Sequence, residues 1–217
     1  GIYILEDGNQ PIIGVAAGEV WHDFVMWTLS NELGGVENLS LIPGTMGAAP
    51  MQNIGAYGVE LESVFHSLQA VEIGTGKVRV FLKEECKFGY RDSIFKKEVK
   101  DKYVITGVNI QLSRDHKLNT TYGVIQDVLK ERGVEHPTIH DVSNAVISIR
   151  QSKLPDPAVI GNAGSFFKNP VIPTDQFDKI KVTHPTLPGY PAEEGLVKVP
   201  AGWLIEQSGW KGYRKGN

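Results

Sequence analysis

A chain of 217 residues, 41% hydrophobic and 22% charged, has the composition of an ordinary globular protein of one or two domains. The formal net charge of −3 argues against nucleic-acid binding, and no apolar run is long enough to cross a membrane. A single cysteine, Cys86, excludes an internal disulfide and a thiolate zinc site. The first residues lack the basic region of a signal peptide, so we expect a cytoplasmic protein.

The first part of the chain predicts two strands and a helix. Residues 2–5 and 12–17 alternate or cluster apolar side chains as short strands do. A helix follows from about residue 20 and is expected to end at Gly34-Gly35. Its apolar positions fall on one face: Trp21, Phe24, Val25, Thr28 and Leu29.

The middle of the chain predicts a hairpin, a further strand and two helices. Residues 64–73 and 77–82 flank the turn 74–76, and residues 103–112 form another strand. Residues 124–132 form a helix stopped by Gly133 and Pro137. Thr138 can cap the next helix. The apolar positions of that helix are Ile139, Val142, Val146 and Ile149.

Prolines mark the last third of the chain, which holds eight of the twelve. We therefore place a domain boundary near Pro155, giving domains 1–154 and 155–217. Strands and helices mix without a regular βαβ rhythm, so the fold class predicted is α+β.

Residues 42–58 form a long uncharged segment, I-P-G-T-M-G-A-A-P-M-Q-N-I-G-A-Y-G. Its four glycines let a flat ligand approach the main chain closely, and its amides can donate to a ligand's acceptor atoms. The alternative is a tightly packed turn between two core elements.

This segment resembles the flavin-contacting loop of the UDP-N-acetylenolpyruvoylglucosamine reductases, also called UDP-N-acetylmuramate dehydrogenases. Further blocks match the same family in the same order. They are F-G-Y-R-D-S-I-F-K (88–96), T-Y-G (121–123), K-L-P-D-P (153–157) with G-N-A-G-S-F-F-K-N-P (161–170), and A-G-W-L-I-E-Q (201–207).

The resemblance implies a fold, a cofactor and a pathway. The fold is an FAD-binding domain of the vanillyl-alcohol-oxidase type, followed by part of a smaller α+β substrate-binding domain. The reaction is the NADPH-dependent reduction of UDP-N-acetylglucosamine enolpyruvate to UDP-N-acetylmuramate, in peptidoglycan biosynthesis, by a monomer. The implied FAD-binding residues are Ile42, Pro43, Gly44, Gly47, Ala48, Gln52, Ile54 and Gly55.

The resemblance implies two catalytic residues, Arg91 and Ser165. Arg91 matches the arginine that polarises the enolpyruvyl carboxylate; from the residues alone, an ion pair with Asp92 or another acid is the alternative. Ser165 matches the serine that protonates the substrate carbon. Serine is a weak acid that serves only for a strongly basic acceptor held close, and the alternative is a serine bonded to backbone.

The implied substrate-binding residues are Tyr122, Lys153, Asn169 and Tyr190. Lysine suits a phosphate, and tyrosine offers a ring and a hydroxyl. Tyr122 precedes a predicted helix, as suits a residue that swings onto a ligand. No Gly-x-Gly-x-x-Gly fingerprint is present, which agrees with an NADPH that binds only transiently. We expect no metal site.

The chain departs from the family pattern at both ends. The family's N-terminal flavin subdomain and its C-terminal strand with a catalytic glutamate have no counterpart, so we expect a fragment that holds FAD weakly and turns over poorly. Two alternatives remain open: another flavoprotein oxidoreductase of the same fold, and a non-catalytic nucleotide-sugar binding fragment.

Overall fold

The computed structural model describes residues 1–156, 159–161 and 165–216. The chain divides into two compact units, Gly1–Ile160 and Gly161–Asn217. Every strand pairing among the described residues is antiparallel, and helices lie between the strands in the sequence. The predicted α+β class is therefore confirmed.

The first unit is built on a five-stranded sheet with the order β1-β2-β7-β5-β6. Its strands are β1 (Ile2–Glu6), β2 (Ile12–Ala16), β5 (Phe65–Glu72), β6 (Val78–Leu82) and β7 (Tyr103–Gln111). The predicted hairpin is confirmed, because β5 and β6 pair from Ser67↔Leu82 to Val71↔Val78. A separate small hairpin joins β3 (Gly55–Ala56) to β4 (Val59–Glu60).

The core of this unit lies between the sheet and helix α1 (Trp21–Ser30). The predicted apolar face of α1 is confirmed, since all five of its residues are buried. Trp21 also donates from its indole Nε1 to the carbonyl of Leu39, at 2.9 Å, which satisfies the one polar atom of a buried ring.

Helix α1 ends at Ser30, one turn before the predicted Gly34-Gly35. Glu32 adopts a positive φ of 54°, and the amide of Leu33 bonds the carbonyl of Thr28 at 2.9 Å. This six-to-one bond around a left-handed residue is a Schellman ending, which is usually made with glycine. The Gly34-Gly35 pair was therefore the wrong stop signal, because Glu32 takes the left-handed position at the end of α1.

Three more helices and four short 3-10 turns complete the first unit. The helices are α2 (Lys83–Cys86), α3 (Gly123–Glu131) and α4 (Ile139–Lys153), and the 3-10 turns are Glu37–Leu39, Met46–Gln52, Leu61–Ser63 and Ile94–Lys96. Helices α3 and α4 share a small apolar cluster that includes Ile125 and Val146. The helix predicted at 124–132 is confirmed to within one residue at each end, and α4 begins directly after its predicted cap Thr138.

The second unit has a three-stranded sheet with the order β8-β10-β9. Its elements are β8 (Val171–Pro173), α5 (Thr174–Thr183), β9 (Tyr190–Pro191), β10 (Leu196–Lys198) and α6 (Ala201–Gln207). A small core of Phe177, Leu187 and Val199 holds it together. None of the helices in the described ranges has the length and apolar character needed to cross a bilayer.

The cap of α4 gives a first prediction. The Thr138 hydroxyl accepts from the Asp141 amide, and the Asp141 carboxylate accepts from the Thr138 amide at 2.9 Å. Replacing Thr138 by Ala should lower the free energy of unfolding by about 1 kcal/mol at neutral pH. Urea denaturation measures this loss.

The same cap predicts a pH dependence. Hydrogen bonds from the Thr138 hydroxyl and amide hold the pKa of Asp141 below its ordinary value. The stabilisation is therefore present at neutral pH and is lost as the pH falls through the lowered pKa. The cost of T138A should shrink in acid, whereas in a D141N background it should stay constant. If T138A lowered the free energy of unfolding equally at every pH, the stabilisation would not come from hydrogen bonds to the ionised Asp141 carboxylate.

Candidate functional site

Backbone hydrogen bonds fasten the uncharged segment 42–58 to residues 17–19, which directly follow β2. The amide of Met46 donates to the carbonyl of Glu19 at 2.8 Å, and the amide of Gly47 donates to the carbonyl of Ala17 at 2.9 Å. These bonds hold one side of the loop against the unit. They fix its main chain without using any side chain on the opposite side.

Burial divides the loop into an anchored side and an open side. Met46, Ala49 and Ile54 are buried in the core of the first unit. The open side carries only uncharged residues, most of them small. Of the implied FAD-binding residues, these are exposed: Pro43, Gly44, Ala48 and Gln52.

Two glycines of the loop leave no room for a side chain. A Cβ on Gly47 would lie 2.7 Å from the Cβ of Ala17. A Cβ on Gly55 would lie 2.8 Å from Cγ of Glu60 and 2.9 Å from Nη1 of Arg91. Because real Cβ atoms do not approach this closely, glycine is needed at both positions.

Arg91 lies against this loop, although 36 residues separate it from Gly55. Its Nη2 donates to the carbonyl of Gly55, and its Nη1 is buried and has no hydrogen-bond partner among the described residues. The acid beside it is Glu60, with 3.7 Å between Nη1 and Oε1, whereas Asp92 pairs with Lys97. The structure thus brings a predicted catalytic residue next to a predicted cofactor-binding residue.

Tyr122 is the residue immediately before α3, which confirms its predicted place. Its ring stands edge-on to the ring of Tyr57, with 5.5 Å between the centroids, and 44% of Tyr122 is exposed. The side-chain Nδ2 of Asn38 donates to the main-chain carbonyls of Tyr57 and Asn119, at 3.1 and 2.9 Å. This side chain ties the loop that carries Tyr57 to the segment that precedes Tyr122.

Helix α4 contributes two cations at its C-terminal end. Arg150 is half-buried: it donates from Nε to the carbonyl of Leu41 at 3.0 Å, and its charge lies close to the hydroxyl of Tyr57. Burial lowers the pKa of Arg150 and raises the pKa of Tyr57. The guanidinium remains charged, because arginine does not lose its proton in proteins. Lys153, the last residue of the helix, is exposed.

The second unit carries the other three predicted residues. The side-chain oxygen of Asn169 accepts from the amide of Ala201 at 2.9 Å, which satisfies the first turn of α6. Tyr190, in β9, is 49% exposed, and Ser165 is exposed beside Phe166. Gly164 and Pro157, which belong to the matched blocks, lie outside the described residues.

Sequence reasoning missed four polar residues around the loop. Asn53 contacts the turn that carries Arg91, and Glu60 contacts its side chain. Arg150 supports the loop from α4, and Tyr57 is the loop residue that lies beside Arg150. Asn53, Tyr57 and Arg91 all have positive φ. No local pattern reveals such residues, because their partners are distant in the sequence.

Among the described residues there is no metal centre at this place, and an open cavity beside α3 lies elsewhere. In the described part of the chain, no three His, Cys, Asp or Glu side chains lie close enough to hold a metal ion. A cavity of about 440 Å³ opens beside α3 and contains none of the predicted site residues. Its lining is Thr120, Gln126, Leu129, Lys130, Gly133, Val134, Glu135 and Pro137.

Each of the two units contains a stretch that matches the model of a known protein family. Residues 4–81 match the family model of an FAD binding domain, and residues 156–217 match that of the UDP-N-acetylenolpyruvoylglucosamine reductase C-terminal domain. The UDP-N-acetylenolpyruvoylglucosamine reductase of Pseudomonas savastanoi is 56% identical over all of this chain and 64% of its own length. That of Flavobacterium johnsoniae is 53% identical over 99% of this chain and also 64% of its own length.

A solved structure shows the same fold. The crystal structure of UDP-N-acetylenolpyruvylglucosamine reductase from Thermus caldophilus aligns with 94% of this chain and 56% of its own, with a TM-score of 0.61 and 24% identity. This likeness shows the α+β fold, and the match of residues 4–81 to the FAD binding domain model defines the class of the first unit. Over nearly its whole length the chain is similar to the curated UDP-N-acetylenolpyruvoylglucosamine reductases, and its second unit matches the C-terminal domain of that family. The chain spans about two thirds of the length of these relatives.

The residues present fit an FAD group. The open side of the loop is uncharged, and its glycines let a flat ring approach the main chain. The residues that would hold FAD are those of the loop, with their backbone amides rather than charged side chains.

The close approach at Gly55 gives a second prediction. A G55A substitution should displace the side chains of Arg91 and Glu60 and lower the free energy of unfolding by about 1–3 kcal/mol, because the added methyl group overpacks the site. Urea denaturation measures the change. The control is G74A, since a Cβ on Gly74 meets nothing within 4 Å. Equal stability of the two variants would contradict the crowding at Gly55.

Proposed function

We propose that this protein carries out the FAD-dependent reduction of UDP-N-acetylglucosamine enolpyruvate to UDP-N-acetylmuramate, with NADPH as the reductant, in peptidoglycan biosynthesis. One observation carries the proposal: Arg91 lies against the uncharged loop, and its buried Nη1 makes no hydrogen bond within the described residues. The relatives that carry this activity in their names support it. In this proposal the protein acts in the cytoplasm, where a water-soluble nucleotide-sugar is available, and it acts as a monomer, as the family resemblance implies.

Arg91 binds the carboxylate of the enolpyruvyl group. A guanidinium presents paired N–H donors to a carboxylate, and at this place Nη1 is the donor that the protein leaves unused. As the double bond is reduced, negative charge builds up towards the carboxylate. A fixed positive charge stabilises that developing charge more than it stabilises the ground state.

Ser165 supplies a proton to the carbon next to the carboxylate. A serine hydroxyl can do this because the acceptor carbon is strongly basic at that stage. The exposure of Ser165 in the second unit leaves its hydroxyl accessible to a substrate. FAD, when bound and reduced by NADPH, would supply the two electrons of the reduction.

The nucleotide-sugar is held by groups of matching chemistry. Lys153 is an exposed cation at the end of α4, suited to a phosphate. Tyr122 and Tyr190 are each about half exposed and offer a ring and a hydroxyl. The side-chain Nδ2 of Asn169 donates to the ligand, since its side-chain Oδ1 already accepts from the amide of Ala201.

A chimera tests this function. In it, the 217 residues of this chain replace the matching region of the Pseudomonas savastanoi relative, which supplies the remaining third. We expect NADPH oxidation that depends on the enolpyruvyl nucleotide-sugar. S165A should lower kcat about 100-fold or more and leave the flavin content unchanged, because only the proton donor is removed.

The unmodified relative is the positive control for this assay. A chimera that folds and binds FAD but does not oxidise NADPH with this substrate would contradict the proposal. Saturable binding of the nucleotide-sugar without turnover would instead support a binding function. Equal kcat values for S165A and its parent would show that Ser165 is not the proton donor.

A further inference from the structure

The arginine of the proposed reaction sits in a backbone conformation that arginine rarely adopts. Its φ is +55°, in a turn closed by two backbone hydrogen bonds of 3.1 Å between Gly89 and Asp92. A positive φ at the third position of such a turn is ordinarily a place for glycine or asparagine. A strained residue persists only where the surrounding structure fixes it.

Asn53 is one of the groups that fix this turn. Its side chain is fully buried, and its Nδ2 donates to the carbonyl of Gly89 at 3.2 Å and to Oε2 of Glu60 at 2.9 Å. Its Oδ1 accepts from the amide of Glu62 at 2.9 Å. One buried amide therefore joins the uncharged loop, the turn that bears Arg91 and the segment after β4.

Glu60 is the second group. One carboxylate oxygen is held by Asn53, which keeps the other within 3.7 Å of Nη1 of Arg91. At that distance the carboxylate attracts the guanidinium without forming a short hydrogen bond to it. The Gly55 carbonyl accepts from Nη2, so the guanidinium is held from two directions while Nη1 keeps its donor unused.

We propose that Asn53 and Glu60 are positioning residues for Arg91 in the reduction. This inference rests on the proposed function, because it assigns a role within that reaction. Asn53 fixes the turn and holds the carboxylate in place. Glu60 fixes the direction of the guanidinium, and its negative charge also opposes the incoming carboxylate. The pair thus favours the correct orientation of Arg91 at the expense of ground-state affinity.

This division of roles has a kinetic signature that a substrate-binding residue lacks. In an E60Q variant the amide can still accept from Asn53, but the charge beside Arg91 is gone. The guanidinium is then less well oriented, so kcat should fall about tenfold to a hundredfold. The substrate carboxylate no longer meets a competing anion, so its Kd should fall about threefold. A residue that binds substrate would instead raise KM.

The experiment measures three quantities on the chimera and its E60Q and E60D variants: kcat, the Kd of the nucleotide-sugar by calorimetry with oxidised flavin, and flavin content. E60D keeps the charge, so it should recover part of kcat and restore the parent Kd. The control variant is E84Q, on the exposed face of α2. It should match the parent in every measurement.

Each outcome decides the inference. A lower kcat in E60Q together with a Kd that is not raised supports it. E60Q kinetics equal to those of the parent would overturn it, and so would a raised Kd. If E60Q loses flavin, E60D decides: partial recovery of kcat at full flavin content supports the inference, and loss of flavin in both variants overturns it. An inactive parent chimera would instead be the failure of the proposed function.

Discussion

The anchoring of one side of the 42–58 loop is the constraint on which the rest of the first unit depends. The amides of Met46 and Gly47 bond carbonyls just after β2, and Met46, Ala49 and Ile54 are buried. These contacts fix the main chain from within. The opposite side can therefore remain small, uncharged and open. A loop fastened by its own side chains on both sides would have no surface left for a flat ligand.

Charge is placed around this loop rather than in it. Arg91 approaches Gly55 from the turn at 89–92, and Arg150 approaches Leu41 from α4. Both guanidiniums bond main-chain carbonyls of the segment from residue 41 to residue 55, so two distant elements fix its shape. In a partly buried place such cations act more strongly than in water, which is what stabilisation of a developing anion requires.

Local features of the fold could be predicted from the sequence, and distant pairings could not. The face of α1 and the Thr138 cap follow from residues within one or two helical turns, and both are confirmed. The end of α1 was misplaced because Glu32 takes the left-handed position that glycine usually occupies. The contact of Asn53 with the Arg91 turn crosses 36 residues, and no periodicity encodes it. Arg91 itself was found through the family's block pattern, since a lone arginine beside an aspartate has no distinctive signal.

The most direct test of the central claim follows the flavin absorbance of the chimera through the two halves of its cycle, with Arg91 replaced by Lys. If Arg91 acts on the substrate carboxylate, the R91K protein should be bleached by NADPH as fast as its parent but should recover its colour far more slowly when the enolpyruvyl nucleotide-sugar is added. Lysine keeps the charge but lacks the paired donors and planar shape of the guanidinium. The account would be contradicted if the flavin colour of R91K recovered at the parent's rate. It would also be contradicted if only the rate of bleaching by NADPH were lowered.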